Sequence, residues 1–548
     1  MAGNPEFASK QTHLPSNRFP IGGELLLTFA LILLFIGSSA IAQESIALTI
    51  DASKTGPKID RNIFGQFAEH LGHGIYEGIW VGPDSRIPNT RGIRNDVVAA
   101  LKALHVPNVR WPGGCFADEY HWRNGVGPVD KRNVTLNPNW GGVIEPNTFG
   151  TNEFMDFIGQ IGAEAYVSVN VGSGTPNEAA DWLEYLTTAQ PTTLETERAA
   201  NGHPAPYKIA YLGIGNESWA CGGNMTADYY LSQFKIYSRF VRNYNPAQQQ
   251  GDQQMMKIAV GPGGSEAEWA DWTETIMKAY QSRPWSWDMN GLSMHSYTVI
   301  KWPPAYASVG FAEAEYSQIL NKTLEMDDLI RKHAAIMDKY DPQKKVALVV
   351  DEWGAWYAPL PDSNPGFLIQ QNSLRDGILT ALNLNIFARH ADRVRMANIA
   401  QMVNVLQAMI MTDKERMIMT PTYHVFKMYL PFQGASSIPV MFNAGTYTNG
   451  NITLPRVDAI AARDTKGTLW LAVTNLDPNR PVEIDATIVG MNARSLVGEM
   501  MTAAKVDSVN AFDAPNTVIP KPVSATMQGG RLPLRLPPKS VTVVSVEQ

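Results

Sequence analysis

Short apolar runs alternate with stretches of helical periodicity between residues 62 and 403. The runs centre on eight segments: Ile63-Phe64, Val109, Tyr166–Val169, Leu212–Ile214, Ile258–Val260, Leu292–Met294, Val346–Val350 and Ala397–Ile399. Helical patterns lie between them at 96–104, 152–161, 179–186, 229–242 and 324–339. Strands that alternate with helices are typical of a parallel sheet, and eight repeats favour a closed (β/α)8 TIM barrel of the α/β class.

The pattern changes after about residue 420. Gly467–Leu476, Val482–Val489 and Ser540–Val546 largely alternate between apolar and polar positions, which predicts an all-β, jelly-roll-like sandwich. Ser45–Asp51 alternates in the same way. We therefore expect an N-terminal strand at 43–58 that joins the sandwich, a catalytic barrel at 59–415 and a C-terminal β-sandwich at 416–548.

The N-terminus has the pattern of a cleaved leader. Leu25–Ile36 is an apolar run of signal-peptide length, and Ala40-Ile41-Ala42 supplies small residues at the cleavage positions. Residues before about 18 extend this leader and resemble an expression scar or a misplaced start. The pattern predicts a signal peptide within residues 1–42, a secreted or periplasmic protein, and no membrane segment after cleavage.

Charge and cysteine content narrow the choice of partners and bonds. The 548 residues carry a net charge of -7 and no basic runs, which argues against nucleic acid as a partner. The two cysteines, Cys115 and Cys221, follow predicted strands of the same barrel face. A disulfide is therefore conceivable, but we expect two free thiols because sequence cannot establish the close approach that a bridge requires.

Two glutamates follow predicted buried strands. Glu217 comes after Tyr211–Gly215, and Glu352 comes after Val346–Val350. The carboxyl ends of barrel strands form the face at which such enzymes act, and a pair of carboxylates is what glycosidic bond cleavage needs. Asp351 neighbours Glu352, but successive strand residues face opposite ways, so we expect only Glu352 to enter the pocket.

Other chemistries find little support. The sequence has no Gly-x-Ser-x-Gly elbow, no His-Glu-x-x-His helix and no phosphate loop, and its ten histidines do not cluster at zinc-ligand spacing. We expect no cofactor and no metal. Further polar residues follow the predicted strands and suit a hydroxyl-rich substrate: Glu69, Arg110, Asn216, His295, Tyr297 and Gln401. Each also has a structural alternative, such as a buried ion pair for Arg110.

Five segments, in order and at barrel-repeat spacing, resemble the α-L-arabinofuranosidases of glycoside hydrolase family 51. They are Phe64–Gly72, Val109–Phe116, Gly215–Glu217, Asp351–Trp353, and Ala391–Val394 with Ala400–Asn404. The resemblance covers nearly the whole chain after the leader. It implies a retaining hydrolase that releases terminal arabinofuranosyl residues from arabinoxylan, arabinan or arabino-oligosaccharides.

The resemblance also implies roles for individual residues. Glu217 would be the acid/base and Glu352 the nucleophile, while Asn216 would bond the sugar 2-hydroxyl. His295 would help to fix the surroundings of the nucleophile. The remaining residues would surround the furanose: Glu69, Arg110, Cys115, Tyr297 and Gln401. Cys115 departs from the family pattern, which often has asparagine there, so one sugar contact is in doubt because a thiol is a weaker hydrogen-bond partner than an amide.

Two alternatives remain open on the same barrel. An endo-acting xylanase or β-glucanase, alone or as a second activity, would use the same two glutamates, because groove shape and not the carboxylate pair decides between them. A non-catalytic carbohydrate-binding protein is the other. The expected partners are arabinose-substituted plant polysaccharides and oligosaccharides, and the resemblance favours a homo-oligomer.

Overall fold

Eight parallel strands close into a barrel in this computed structural model, which describes residues 45–264, 267–529 and 531–548. The barrel strands are β1 (Gly65–Phe67), β2 (Asn108–Trp111), β3 (Glu164–Val169), β4 (Tyr211–Ile214), β5 (Met256–Ala259), β6 (Gly291–Thr298), β7 (Ala347–Ala355) and β8 (Val394–Ala400). They pair in chain order, and β8 closes the barrel against β1. The predicted barrel is confirmed.

Helices separate most of the barrel strands. Those described are α1 (Asn95–Ala103), α2 (Thr151–Ile161), α3 (Pro176–Thr187), α4 (Thr193–Ala200), α5 (Ala227–Phe240), α6 (Ala267–Gln281), α7 (Glu313–Tyr340), α8 (Leu374–Arg389) and α9 (Pro421–Met428). Local sequence sets several of their first turns. The Thr175 hydroxyl accepts the Glu178 amide at the start of α3, and the Thr226 hydroxyl accepts the Tyr229 amide at the start of α5.

Two predicted strand positions were wrong in detail. Ile63-Phe64 belongs to a 3-10 helix, Arg61–Phe64, because the Asp60 carboxylate accepts the Asn62 amide and caps that turn. The first barrel strand therefore begins at Gly65. Glu352 does not follow its strand but lies inside β7, which continues past the barrel rim by pairing with β6. Both corrections lengthen or shift a strand by a few residues and leave the barrel order unchanged.

Apolar side chains fill the amino-terminal part of the barrel interior. Tyr166, Tyr211, Ile258, Val349 and Met396 form a buried cluster there. A barrel interior is a packed core and not a pore. The polar residues of the opposite, carboxyl-terminal end therefore face a pocket that is closed from below.

A two-sheet β-sandwich follows the barrel. Its four-stranded sheet has the order Val440–Phe442, Ser45–Asp51, Val482–Val489, Leu532–Leu536, and its six-stranded sheet has the order Ser436–Ile438, Val457–Arg463, Leu469–Asn475, Ser540–Glu547, Ser495–Met501, Lys521–Thr526. Ile46, Leu48 and Ile50 of the N-terminal strand point into the core between the sheets. Residues before the barrel thus complete the sandwich after it, and the predicted fold class is confirmed.

Short hairpins occupy the remaining extended segments: Asn89–Thr90 with Ile93–Arg94, Thr135–Asn137 with Val143–Glu145, Ile410–Asp413 with Arg416–Met419, and Thr446–Asn449 with Ile452–Pro455. Helix α9 packs on the barrel, where the Tyr423 hydroxyl donates to the Ala100 carbonyl at 3.1 Å. The division predicted at 415/416 stays a prediction. Within the described ranges, we find no helix that has both the length and the apolar character needed to cross a bilayer.

Candidate active site

Glu352 is held from two sides at the mouth of the barrel. Its Oε1 accepts Arg110 Nη1 at 2.7 Å, and its Oε2 accepts the Tyr297 hydroxyl at 2.8 Å. The side chain is 6% exposed. Two donors, one of them a guanidinium, fix the orientation of this carboxylate.

Asp351 also points into the barrel interior, which corrects the expectation that only one of the two neighbours would. Its Oδ2 accepts the Tyr166 hydroxyl at 2.7 Å and lies 3.6 Å from Arg110 Nε, while its Oδ1 lies 3.3 Å from His295 Nε2. The pairing register shifts at this point in both ladders of β7. Such an irregularity breaks the strict alternation of strand faces, so successive carboxylates can share one interior.

Glu217 lies in the loop after β4. Its φ is +37°, in the left-handed region that residues other than glycine rarely adopt. Oε1 lies 2.9 Å from His295 Nδ1, and the side chain is 19% exposed. Glu217 is therefore more open to solvent than Glu352 and is held by a loop instead of a strand.

The two glutamates approach each other closely. One carboxylate oxygen of Glu217 and one of Glu352 lie within 4.8 Å, and a nitrogen of His295 lies within the same distance of both. Retaining glycosidases hold their carboxyl groups about 5–5.5 Å apart, whereas inverting enzymes leave room for a water between them. This spacing suits direct attack by one carboxylate and proton transfer by the other.

Arg110 connects the nucleophile candidate with the residue before Glu217. Its Nη2 donates to Asn216 Oδ1 at 2.5 Å, while Nη1 bonds Glu352. Because an arginine only donates, this contact assigns the carbonyl oxygen of Asn216 to Arg110 and leaves the Asn216 amide nitrogen as a donor for another group. Arg110 itself is buried, with Phe67 packed against its guanidinium carbon at 4.6 Å.

Glu69 forms a second buried carboxylate beside the pair. Oε1 accepts the Phe116 amide at 3.1 Å and Trp140 Nε1 at 2.8 Å, and Oε2 accepts Gln401 Nε2 at 3.1 Å. Burial, with the negative charge of Glu352, raises the pKa of Glu69 to about 7. Sugar hydroxyls that reach this point would meet the Glu69 carboxylate as an acceptor and the Gln401 amide beside it.

Glycines allow the chain to pass this close to the carboxylates. A Cβ at position 113 would lie 2.7 Å from Glu69 Cγ, and one at position 114 would lie 2.9 Å from Glu352 Oε1. Both contacts are closer than real Cβ atoms approach. Gly113 and Gly114 are therefore required for space at the pocket floor, in addition to turning the chain.

His295 lies between the carboxylates. Burial alone would lower the pKa of His295, but the charge of Glu352, together with Asp351 and Glu217, raises it to about 10. The opposite effect operates on Asp351, for which burial would raise the pKa but Arg110 and His295 lower it. The raised pKa favours the protonated form of His295, whose Nδ1 bonds Glu217 and whose Nε2 lies 3.3 Å from Asp351 Oδ1.

Cys115 and Cys221 form a disulfide, so the expectation of two free thiols is wrong. Their Cα atoms are 5.5 Å apart although 106 residues separate them in sequence. The turn after β2 and the loop after β4 meet at the same rim, as the strand pattern predicted, but their close approach could not be read from the sequence. The Cys115 sulfur therefore carries no proton to donate to a sugar, while the Cys221 sulfur lies 3.7 Å from Glu217 Oε2.

The structure brings the other predicted site residues together around Glu217 and Glu352: Glu69, Arg110, Asn216, His295, Tyr297 and Gln401. Three further residues were missed, Asp118, Trp140 and Tyr166, and Asp351 had been considered and wrongly excluded. Trp140 and Asp118 come from loops without periodic pattern, while Tyr166 is one aromatic among many in a buried strand.

Burial raises the pKa of Asp118 to about 7, although three backbone amides favour its ionised form.

A cavity of about 630 Å³ opens beside Glu217. Ring faces and polar groups line it, from β6 and from the segments after β4, β6 and β7: Glu217, Trp219, His295, Tyr297, Trp302 and Trp356. The Trp302 and Trp356 rings meet edge to face at 5.2 Å between centroids. Aromatic faces with a few convergent polar groups are suited to a sugar ring.

Two family models match this chain. Residues 351–540 match the alpha-L-arabinofuranosidase C-terminal domain, and residues 100–290 match the alpha-L-arabinofuranosidase 1 domain. The GH51 arabinofuranosidase from Xanthomonas axonopodis pv. citri is 49% identical, with a TM-score of 0.88 over 92% of this chain and 100% of that chain. These matches span both the barrel and the sandwich.

Two curated relatives are named as intracellular enzymes. The intracellular exo-alpha-L-arabinofuranosidase of Bacteroides ovatus is 42% identical over 93% of this chain and 97% of its own. The intracellular exo-alpha-(1->5)-L-arabinofuranosidase of Halalkalibacterium halodurans is 29% identical over 80% of this chain and 84% of its own. These names contradict the predicted secreted or periplasmic location. The signal peptide predicted within residues 1–42, on which that location was based, lies outside the described residues.

Proposed function

We propose that this chain, which belongs to the α-L-arabinofuranosidases of glycoside hydrolase family 51, removes terminal arabinofuranosyl residues by double displacement. The configuration of the released sugar would be retained. The observation that carries the mechanism is the approach of Glu217 and Glu352 oxygens to within 4.8 Å. That short spacing supports direct attack by a carboxylate, as in the retaining enzymes, whose carboxyl groups stand closer together than those of inverting enzymes.

In the first step, a Glu352 oxygen attacks the anomeric carbon. The bond from that carbon to the leaving oxygen breaks, and Glu217 gives its proton to the leaving oxygen. Arg110 and Tyr297 each donate to one Glu352 oxygen, which holds the carboxylate in position before the attack. The products are an arabinosyl ester of Glu352 and the released acceptor.

In the second step, Glu217 takes a proton from a water that attacks the same carbon. The ester bond breaks, free arabinose leaves, and both carboxyl groups return to their starting states. His295 Nδ1 lies 2.9 Å from Glu217 Oε1 and would help to orient the acid/base in both steps.

Sugar hydroxyls would meet the remaining polar groups. Arg110 takes the Asn216 carbonyl oxygen and leaves its amide nitrogen, 3.8 Å from the Cys221 sulfur, as a donor, which suits a bond to the 2-hydroxyl next to the reacting carbon. Glu69 and Gln401, linked at 3.1 Å, would offer an acceptor and a donor to the other hydroxyls. Cys115 would contribute to the pocket wall through its disulfide, because its sulfur has no proton to donate.

The substrate class follows from the side on which Glu217 stands. An acid faces the leaving group, so the aromatic-lined cavity beside Glu217 would hold the sugar to which arabinose is attached. Arabinoxylan, arabinan and arabino-oligosaccharides all present such an arabinosyl end. An endo-acting xylanase or β-glucanase is not favoured, since curated relatives are named exo-acting arabinofuranosidases.

Two measurements test this function. Purified protein is incubated with 4-nitrophenyl α-L-arabinofuranoside and with arabinoxylan, and the products are separated by chromatography. Free arabinose without xylo-oligomers is the expected result, and oligomers without arabinose would reject the exo proposal. Proton NMR during the first turnovers should show the α-anomer of arabinose before mutarotation, whereas an initial β-anomer would reject double displacement.

A further inference from the structure

Asp118 is a buried carboxylate that contacts the main chain of two neighbouring loops. Its Oδ1 accepts the amides of Val171 at 2.7 Å and Gly172 at 2.9 Å, in the segment after β3. Its Oδ2 accepts the amide of Asn216 at 2.7 Å, in the segment after β4. Three N–H donors aimed at one carboxylate make Asp118 the common anchor of these two loops.

The Asn216 amide is one peptide unit away from Glu217. Glu217 has a φ of +37°, a conformation that persists in a residue other than glycine when its surroundings hold it there. The loop also winds tightly around the Asp118 carboxylate. A Cβ at Gly222 would lie 2.6 Å from Asp118 Oδ2 and 1.8 Å from the Asn216 carbonyl oxygen.

A disulfide also joins the turn that carries Asp118 to the loop that carries Asn216 and Glu217. Cys115 and Asp118 are the first and last residues of one 3-10 turn, Cys115–Asp118. Cys221, five residues after Asn216, is bonded to Cys115. The turn therefore holds the 216–222 loop at both of its ends, covalently at Cys221 and through the Asp118 carboxylate at Asn216.

We propose that Asp118 and the Cys115–Cys221 disulfide form a clamp that positions Glu217 for proton transfer to the leaving group. Asp118 is a positioning residue and touches no substrate. The clamp rests on the proposed acid/base role of Glu217. Its purpose is geometric: a general acid must reach the leaving oxygen to within hydrogen-bond distance, and a loop that carries such an acid needs to be fixed from outside the barrel strands.

Asp118→Asn is the sharpest change, because it keeps the volume of the side chain. If its oxygen still accepts Val171 and Gly172, an NH2 group faces the Asn216 amide, and two donors then repel each other. We expect the Asn216 amide and Glu217 to shift while the barrel strands, with Glu352 and Arg110, stay in place. The loss should therefore fall on acid catalysis.

The experiment measures kcat/KM for aryl α-L-arabinofuranosides of decreasing leaving-group acidity. A displaced acid should cost about 10-fold or more with the poorest leaving groups and about 2-fold with a dinitrophenyl leaving group, because acid catalysis contributes most where the leaving group is poor. The plot of the logarithm of kcat/KM against the pKa of the leaving group should become steeper. Ser173→Ala serves as the matched control, since it removes the 2.8 Å bond from the Ser173 hydroxyl to the Asp118 carbonyl but none to Asn216.

A purely structural role for Asp118 predicts another pattern. The variant would then melt earlier and lose activity by the same factor with every leaving group, and that result would overturn the clamp. The double variant Cys115→Ser, Cys221→Ser tests the covalent half and should steepen the plot by a smaller amount. It also provides the test if Asp118→Asn does not fold, and an unchanged slope in the folded double variant would then overturn the proposal.

Glu217→Ala separates this proposal from the proposed function. If the slope of the plot for Glu217→Ala equals that of the unchanged protein, Glu217 is not the acid and the clamp loses its purpose as well. If Glu217→Ala steepens the plot and the folded clamp variants do not, the acid assignment stands and only the clamp is rejected.

Discussion

Glu352 and Glu217 stand on the same rim of the barrel but are held in different ways. Glu352 lies inside strand β7, is 6% exposed, and receives Arg110 and Tyr297 on its two oxygens. Glu217 lies in a loop with a left-handed backbone, is 19% exposed, and bonds His295. One carboxylate is fixed by a strand and two donors, and the other by neighbouring loops.

The difference matches what the two proposed roles require. A nucleophile must stay ionised and must not move, so a strand with a guanidinium partner suits it. An acid/base gains and loses a proton in each cycle and must face the leaving group and then water, so partial exposure suits it. The two environments therefore support the proposed roles, independently of the motif in which each glutamate stands.

The largest expected effect is that of Glu352→Ala. Without the nucleophile no glycosyl ester forms, and kcat should fall on the order of 10⁴-fold or more with every substrate, as when other covalent nucleophiles are removed. Azide added to this variant should restore some turnover and give an arabinosyl azide of inverted configuration, which NMR identifies. Glu164→Gln, at the amino-terminal start of β3, is the control and should keep full activity. Substantial turnover of Glu352→Ala without azide would remove Glu352 as nucleophile.

Glu217→Ala should have the next largest effect, and a selective one. General acid catalysis contributes about 10²–10⁴-fold, so hydrolysis of arabino-oligosaccharides should fall by a factor in that range. An activated aryl arabinofuranoside needs little protonation and should lose much less in its first step. Pre-steady-state release of the phenol measures that step directly. Equal losses on both substrate types would contradict the difference drawn between the two glutamates.

The residues of the strand-held half and Glu217 itself could be predicted from the sequence, but the contacts that hold Glu217 in its loop could not. Arg110, Tyr297 and Glu352 stand close to apolar runs, so local pattern places them at the rim. Asp118 and the Cys115–Cys221 bond depend on how loops separated by about a hundred residues approach each other. No periodicity encodes that approach. Asp351 was misjudged for a related reason, because a register shift in β7 is set by its neighbours.

The same distinction holds for the fold. Barrel strands were predictable because they are buried on both faces and form short continuous apolar runs, and sandwich strands because buried and more exposed positions alternate along them. Helix α8 was not predicted, since nearly all of its side chains from Leu374 to Ala388 are buried and no polar face marks its period. The start of β1 was displaced because the cap formed by Asp60 is a hydrogen bond and not a hydrophobic signal.

Arg110→Lys should sharpen the comparison from the side of the nucleophile. A single ammonium cannot donate to Glu352 and Asn216 in the geometry of the guanidinium fork, which bonds them at 2.7 Å and 2.5 Å. We expect kcat to fall about 100-fold, as when one preorganised donor is lost, with a similar factor for good and poor leaving groups. Arg239→Lys on the surface of α5 is the control. A loss confined to poor leaving groups would instead place Arg110 on the side of Glu217.

The smallest expected effect is that of replacing His295 on thermal stability. His295 bonds Glu217 and lies 3.6 Å from Glu352. Its pKa is raised from 6.5 to about 10, so its stabilising contribution is fully present below about pH 6.5 and is lost as the pH rises through 10. Near pH 6.5, the melting temperature of His295→Asn should therefore lie a few degrees below that of the unchanged protein, because the variant has lost the ion pairs of His295. The gap should narrow towards pH 10. Lys257, whose pKa burial lowers to about 8, titrates in the same range but is shared by both proteins and cancels in the difference. A gap that stays constant from pH 6 to about 10 would mean that His295 is neutral and that Glu217 has no cationic neighbour.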